Sequence, residues 1–261
     1  MPFTLAHPAA AWPLGRLFRR LDGVALVVGS FMPDLPHMIL VGPSREVTHT
    51  LGASVWFCLP LAIPTYLFAR AFLIEALVMI LPDALHQRIT PAVSGWAALR
   101  GRAWPWVVLS LWLGTLTHVV WDAFTHFTSP LVQASEFLRL ELTEIAGQRL
   151  EVFNLLQHGS TVLGLLLIVY WFSRWTGQTQ TSSRPTRGEL QRSVLFGGVV
   201  GIPVAFGLVG MSRYLFEHGV TTVSFTIAAK VAGFTFMPAL TFAVLILGMV
   251  WPFLRGRVGD G

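Results

Sequence analysis

Apolar positions run through this chain in long blocks separated by short polar breaks. Residues 51–69, 104–124, 159–173, 194–212 and 232–253 form five such blocks. Each approaches the length at which a helix crosses a bilayer, about 20 residues. The first carries Pro60 and Pro64, which predict a kink, and Arg70 marks its end. The third takes in the apolar stretch 152–156. Residues 72–81 are apolar but short and broken by Glu75, which predicts an interfacial segment or the second leg of a hairpin. Residues 24–32 are too few to span, and Pro33-Asp34-Leu35-Pro36-His37 interrupts them. A buried or re-entrant helix over 24–41, broken at Pro33, is the expectation.

The polar stretches complete the pattern. Residues 42–48 predict a turn, 83–102 a loop and 174–192 a flexible linker rich in Thr, Ser and Gln. Residues 128–157 form an amphipathic acidic segment with Glu136, Glu141, Glu144 and Glu151. Gly197, Gly198 and Gly201 predict close helix packing in the fourth span. The expected fold is all-α: a polytopic transmembrane helix bundle with about four to six spans and an N-terminal re-entrant or interfacial helical segment. It reads as one membrane domain over 1–261. Residues 1–50 bear ligands, 51–173 hold the core spans, 174–193 form the polar loop and 194–254 the C-terminal spans.

Composition agrees. The chain is 54% hydrophobic and 12% charged, about half the charge of a soluble domain, with mean hydropathy +0.64. The net charge is +5, and Lys230 is the only lysine. Such arginine excess reads as cytoplasmic-loop charge and contact with anionic lipid. No dense basic cluster with interleaved aromatics appears, so no nucleic-acid partner is expected. Cys58, alone, excludes an intrachain disulfide. The N-terminus lacks a signal-peptide pattern. Trp104, Trp106, Trp171, Trp175 and Trp251 sit near span ends, where aromatic belts form.

Arginines in 84–103, 174–193 and 255–257 fall on one side of a five-span scheme, which makes that side cytoplasmic. Segment 128–157 then lies outside, as do His49, His126 and His158. Arg16, Arg19, Arg20 and Arg45 fall outside or in the interface.

The candidate chemistry lies on that outer side. His118, Asp122 and His126 are four apart and share one helical stripe. Imidazole and carboxylate are the ligand types of zinc and similar divalent metals. A stripe hydrogen-bonded to neighbouring helices is the plainer alternative. The same side gathers His7, Asp34, His37, His49 and His158. Ionisable groups in an apolar bundle are costly unless paired, and a shared cation offsets that cost. Asp122 could bridge two metals with its two oxygens. Pro82-Asp83-Ala84-Leu85-His86 repeats the Pro33–His37 spacing but falls on the cytoplasmic side, and reads as a helix cap or coincidence. His37 reads as a partner behind the ligands, and His218 as an interfacial residue.

The opening Met1-Pro2-Phe3-Thr4-Leu5-Ala6-His7-Pro8-Ala9-Ala10 resembles an uncharacterised bacterial multi-pass membrane family catalogued as a domain of unknown function. The likeness runs through Pro33-Asp34, Thr48-His49 and the His118/Asp122 helix. More distantly, the order His, Pro-Asp, Thr-His, His-x3-Asp is similar to the membrane-bound metal-dependent hydrolases and to the zinc-dependent phospholipase C and nuclease superfamily. That resemblance implies a first metal on Asp34, His49, His118 and Asp122, with Asp122 bridging. It implies His7 as a ligand of a second metal, and His126 and His158 as candidates for a remaining one. The superfamily's His-x3-Glu element is not matched, because Val162 stands four residues after His158. One or two ions are therefore expected, zinc first and manganese second.

The expected function is metal-dependent hydrolysis of a phosphoester or lipid-linked substrate at a bacterial inner membrane, with Asp122 and Asp34 as the catalytic carboxylates. The bilayer is the expected partner, and no obligate protein partner is evident. A divalent-cation or proton transporter, or a non-catalytic membrane protein with a vestigial metal site, are the alternatives.

Overall fold

Two glycines govern the packing of the ligand-bearing part of the chain. In a computed structural model, which describes residues 3–93, 103–145, 148–177 and 189–259, the Gly23–Phe31 helix lies directly on the Trp104–Thr125 helix. A Cβ on Gly29 would stand 2.1 Å from the Leu111 carbonyl oxygen, and one on Gly114 would stand 2.2 Å from that of Leu26. Only glycine permits that approach. Thr115 Oγ1 donates to the Gly29 carbonyl at 3.1 Å across the same contact.

Capping holds the shorter helix in place. Asp22 accepts from the Ala25 N–H at 2.9 Å, satisfying one donor of the first turn. Its other carboxylate oxygen accepts from the Tyr66 hydroxyl at 3.0 Å, and its own N–H donates to Ser110 Oγ at 2.9 Å. The helix stops at Phe31, two residues before Pro33, and a single turn, Leu35–Met38, follows. The break expected at Pro33 is therefore present.

The chain divides into two compact units: residues 1–66 with 100–172, and 67–99 with 173–261. The first holds the Gly29–Gly114 contact. In it the acidic stretch contains the only sheet among the described residues. Glu141–Ile145 and Gln148–Glu151 pair antiparallel after a short Pro130–Ala134 helix. Buried Val132, Leu138, Val152 and Phe153 form a small apolar cluster at the base of that hairpin.

The second unit is built on the Glu189–His218 and Thr222–Gly259 helices. Their close approach falls at Gly207, whose added Cβ would lie 3.2 Å from the Ala232 oxygen, and at Gly210, against Thr235. Gly197, Gly198 and Gly201, expected to pack closely, have open space where a Cβ would go. Trp251, Leu247, Ala76 and Ile80 form a buried cluster.

Two expected boundaries need correction. Residues 83–93 are helical, Asp83–Val93, where a loop was expected. Pro82 fixes the entry and Asp83 places an anion in the first turn, where the helix dipole favours it. Residues 72–81 form no separate leg, because one helix runs Leu51–Met79. Two π-helical turns, Ser54–Cys58 and Ala69–Leu73, interrupt it. Pro60, just after the first of these, withholds a donor from the ladder, and such a wider turn re-registers it.

Five helices among the described residues are long and apolar enough to cross a membrane: Leu51–Met79, Trp104–Ala134, Val152–Gly177, Glu189–His218 and Ile227–Leu254. The fold is an all-α polytopic bundle. The expected linker lies largely in 178–188, outside the described residues, as do Arg100 and Arg102.

Candidate metal centre

Four side chains from three parts of the chain converge: Asp34, His49, His118 and Asp122. One ligating atom from each lies within 4.8 Å of all the others. Asp34 sits in the turn after the Gly23–Phe31 helix. His49 follows the Arg45–Thr48 turn. His118 and Asp122 stack one helical turn apart on the Trp104–Thr125 helix. Asp34, His118 and Asp122 are buried.

Backbone carbonyls orient both imidazoles. His118 Nδ1 lies 2.6 Å from the Ser30 carbonyl oxygen. A carbonyl only accepts, so Nδ1 carries a proton and Nε2 faces the group. The Gly29–Gly114 approach makes this bond possible, since it brings the end of one helix onto the flank of the other. His49 Nδ1 lies 3.2 Å from the Arg45 carbonyl and 2.9 Å from Thr48 Oγ1, which points its Nε2 inward too. The two Nε2 atoms are 3.2 Å apart. They lie 3.2 Å each from Asp122 Oδ2, and His49 Nε2 is 3.3 Å from Asp34 Oδ1. Two buried carboxylates this close repel unless positive charge stands among them. Metal-ligating histidines commonly donate their other ring N–H to a carbonyl in this way.

Thr4 Oγ1 donates to Asp34 Oδ2 at 2.7 Å, with both groups buried. Asp34 Oδ1 and Asp122 Oδ1 are buried without a hydrogen-bond partner. Native buried polar atoms rarely stay so. Burial opposes the charge on Asp34, but His118 and His49 outweigh it and hold the carboxyl below the usual range.

His7 and His126 flank the four. His7 stacks on His118 with ring centroids 3.7 Å apart, and its Nε2 is 3.5 Å from Asp122 Oδ1. Burial, reinforced by His118, pushes the His7 imidazole down to about 3, so it is neutral and its lone pair is free. His126 Nδ1 faces the Asp122 carbonyl at 3.2 Å and Asp122 Oδ1 at 3.5 Å. The Nε2 atoms of both flanking rings are buried without a hydrogen-bond partner.

His158 stands apart from this group. On the Val152–Gly177 helix the face toward the N-terminal segment carries Thr161, which accepts from the Phe3 N–H at 3.1 Å, and Gly164, whose added Cβ would lie 3.0 Å from the Ala6 oxygen. Gln157 shares that face. His158 is one residue on, about 100° around the helix, and is exposed. His37 is exposed rather than standing behind a ligand. In the second unit, Asp83 pairs with Arg192, and His86 Nδ1 lies 2.9 Å from the Val78 carbonyl. His218 stacks on Tyr214 near the end of its helix.

A family model described as "Domain of unknown function (DUF4184)" matches residues 1–250. The chain belongs to the DUF4184 family. No curated protein and no solved structure matches it. The expected membership of an uncharacterised family is therefore correct, while the likeness to metal-dependent hydrolases has no counterpart in these comparisons.

The site of this DUF4184 protein contains two residues that the sequence did not single out. Thr4 belongs to the opening motif, three residues before His7. Arg45 precedes His49 by one helical turn. Its guanidinium pairs with Asp122 and stands 3.6 Å from Asp34 Oδ1. A cavity of about 490 Å³ opens beside the group, lined by Arg45, His49, Asp122 and His126 and, among its apolar residues, by Val119, Phe124 and Leu131. The Asp34, His49, His118 and Asp122 group can hold a metal ion.

Proposed function

We propose that this chain is a membrane-bound metal-dependent hydrolase of phosphoesters or lipid-linked esters. Asp34, His49, His118 and Asp122 would hold a divalent ion, zinc first and manganese second. The observation that carries the reading is the facing pair of His49 and His118 Nε2 atoms between two buried carboxylates. When bound, such an ion lowers the pKa of a coordinated water from about 15.7 toward about 7 and polarises an ester oxygen.

The chain's own residues supply the rest. Ser30 and Arg45 carbonyls fix the two imidazole tautomers. Thr4 holds the Asp34 carboxylate in register. Asp122 keeps its second oxygen toward His7 and His126, where it could bridge to a second ion. The cavity beside the group, with apolar Leu51, Val120, Phe124 and Leu131 in its lining, suits a substrate drawn from the bilayer. The arginine distribution supports a cytoplasmic-membrane location with the ligand face outward. A transporter reading is weaker, because it calls for ionisable groups spread through the membrane depth, whereas these gather around one helix end.

The test is a substrate screen on metal-loaded, detergent-purified protein. It covers soluble phosphomonoesters and phosphodiesters, lipid phosphoesters and carboxylic esters. Phosphoester cleavage that falls by about a hundredfold or more in Asp122→Ala and Asp34→Asn is the expected result. Undiminished cleavage in Asp122→Ala, or a loaded protein inert on every ester, would overturn it.

A further inference from the structure

Arg45 stands where its charge becomes surplus once a cation arrives. Its guanidinium pairs with Asp122 and approaches Asp34, so it balances the two buried carboxylates in this structure. A divalent ion on the four-residue group competes for the same oxygens. Two carboxylates and one divalent cation sum to zero, and arginine stays protonated. The guanidinium is then left with one acidic neighbour, the fully exposed Glu46.

The cavity offers it a place. Arg45 already lines that cavity, and its side chain is 16% exposed, so part of it faces the open space. The remaining walls are mostly apolar. Leu51, Val120, Phe124 and Leu131 all line the cavity while keeping large exposed faces. Glu46 also lines the cavity but is exposed, so water and salt screen it. About 490 Å³ lies within the range of about 300–1,000 Å³ typical of small-molecule sites. One cation at the metal end and hydrocarbon along the walls suit an anionic head with an apolar chain. A guanidinium matches phosphoryl oxygens in bidentate fashion.

We propose that this cavity is an amphiphile site in which Arg45 binds the anionic phosphoryl head of a lipid-type ligand next to the metal group, while the chain lies against Val120, Phe124 and Leu131. The proposal rests on the metal-site reading above. It assigns Arg45 two partners in turn: the carboxylates without metal, the ligand head with it.

The experiment is calorimetric titration of the zinc-loaded full chain in nanodiscs with inorganic phosphate and with hexylphosphonate, which has no ester bond to cleave. Wild type should bind hexylphosphonate about tenfold or more tighter than phosphate. Arg45→Gln should keep its metal and weaken both anions by about tenfold or more, with Arg45→Lys between. Leu131→Gln should weaken hexylphosphonate and leave phosphate unchanged, and it decides the matter if Arg45→Gln does not fold. Unchanged hexylphosphonate binding in either Arg45→Gln or Leu131→Gln would overturn the proposal, as would equal wild-type affinities for the two anions. Binding through Arg45 by a protein that cleaves no ester would sink the hydrolase reading alone. Ester cleavage undiminished in Arg45→Gln would sink the amphiphile site alone.

Discussion

His49 and His118 meet Nε2 to Nε2 at 3.2 Å, although each ring already turns its Nδ1 to a backbone carbonyl. Two ring nitrogens this close, between two buried carboxylates, make sense as two arms of one cation site. Thr4 supports the same site from the other side. Thr4→Val removes its 2.7 Å hydrogen bond to Asp34 Oδ2. The expected outcome is about ten- to a hundredfold weaker metal binding in folded protein, the usual cost of losing an outer hydrogen bond to a ligand. Competition with a calibrated chelator measures it.

The helix contact that orients His118 predicts a steric effect. Gly114→Ala puts a Cβ within 2.2 Å of the Leu26 carbonyl, so the helices must separate. Overpacking of this kind costs about 1–3 kcal/mol. The Ser30 bond to His118 lengthens with it. Thermal unfolding in detergent should show the loss, and metal affinity should fall together with stability. Gly197→Ala, facing open space, should change neither.

Acid sensitivity follows from His7. Its imidazole titrates near 6.5 in an unfolded chain and near about 3 when buried here. Between those values the unfolded state takes up a proton that the folded state refuses. Stability of the metal-free protein is therefore whole above about 6.5, declines as pH falls below that, and has lost the full contribution by about 3. Asp34, held below its ordinary 3.8, adds to the decline only at the acid end. Unfolding followed from pH 7.5 to 4.5 should show the slope, about a few kcal/mol at most, and His7→Gln should flatten it.

The second unit supplies a contrast. Asp83 and Arg192 form a buried ion pair. Asp83→Ala leaves the guanidinium buried beside a lost partner, which costs about 3–5 kcal/mol. Unfolding should register that loss. Metal stoichiometry of the protein that remains folded should be unchanged, because neither residue belongs to the metal group.

What was legible in the sequence divides by the range of the interaction. The spans 104–124 and 194–212 could be read because about twenty predominantly apolar residues have few other fates. The break at Pro33 follows from one ring. His118 and Asp122 share a stripe by helical periodicity alone. Joining them to Asp34 and His49 took the ordered motif, since nothing local says that a turn at 34 and a turn at 49 meet one helix. Arg45 was missed because an arginine near a span end ordinarily reads as topology, and only the fold shows its guanidinium among carboxylates. His158 was placed with the ligands by its position outside the third span. The helix phase, visible only once Thr161 and Gly164 are seen to face residues 3–6, rotates it away. Helix 83–93 looked like a loop because Arg88 and Pro91 outweigh its weak apolar pattern, and its first residue makes a long-range pair with Arg192.

Elemental analysis of detergent-purified protein tests the central claim most directly, with Asp122→Ala and His158→Ala measured alongside. The account predicts about one or two divalent ions per chain, lost in Asp122→Ala and kept in His158→Ala. Folded wild-type protein that holds no stoichiometric metal, even after reconstitution with zinc and manganese, would contradict it.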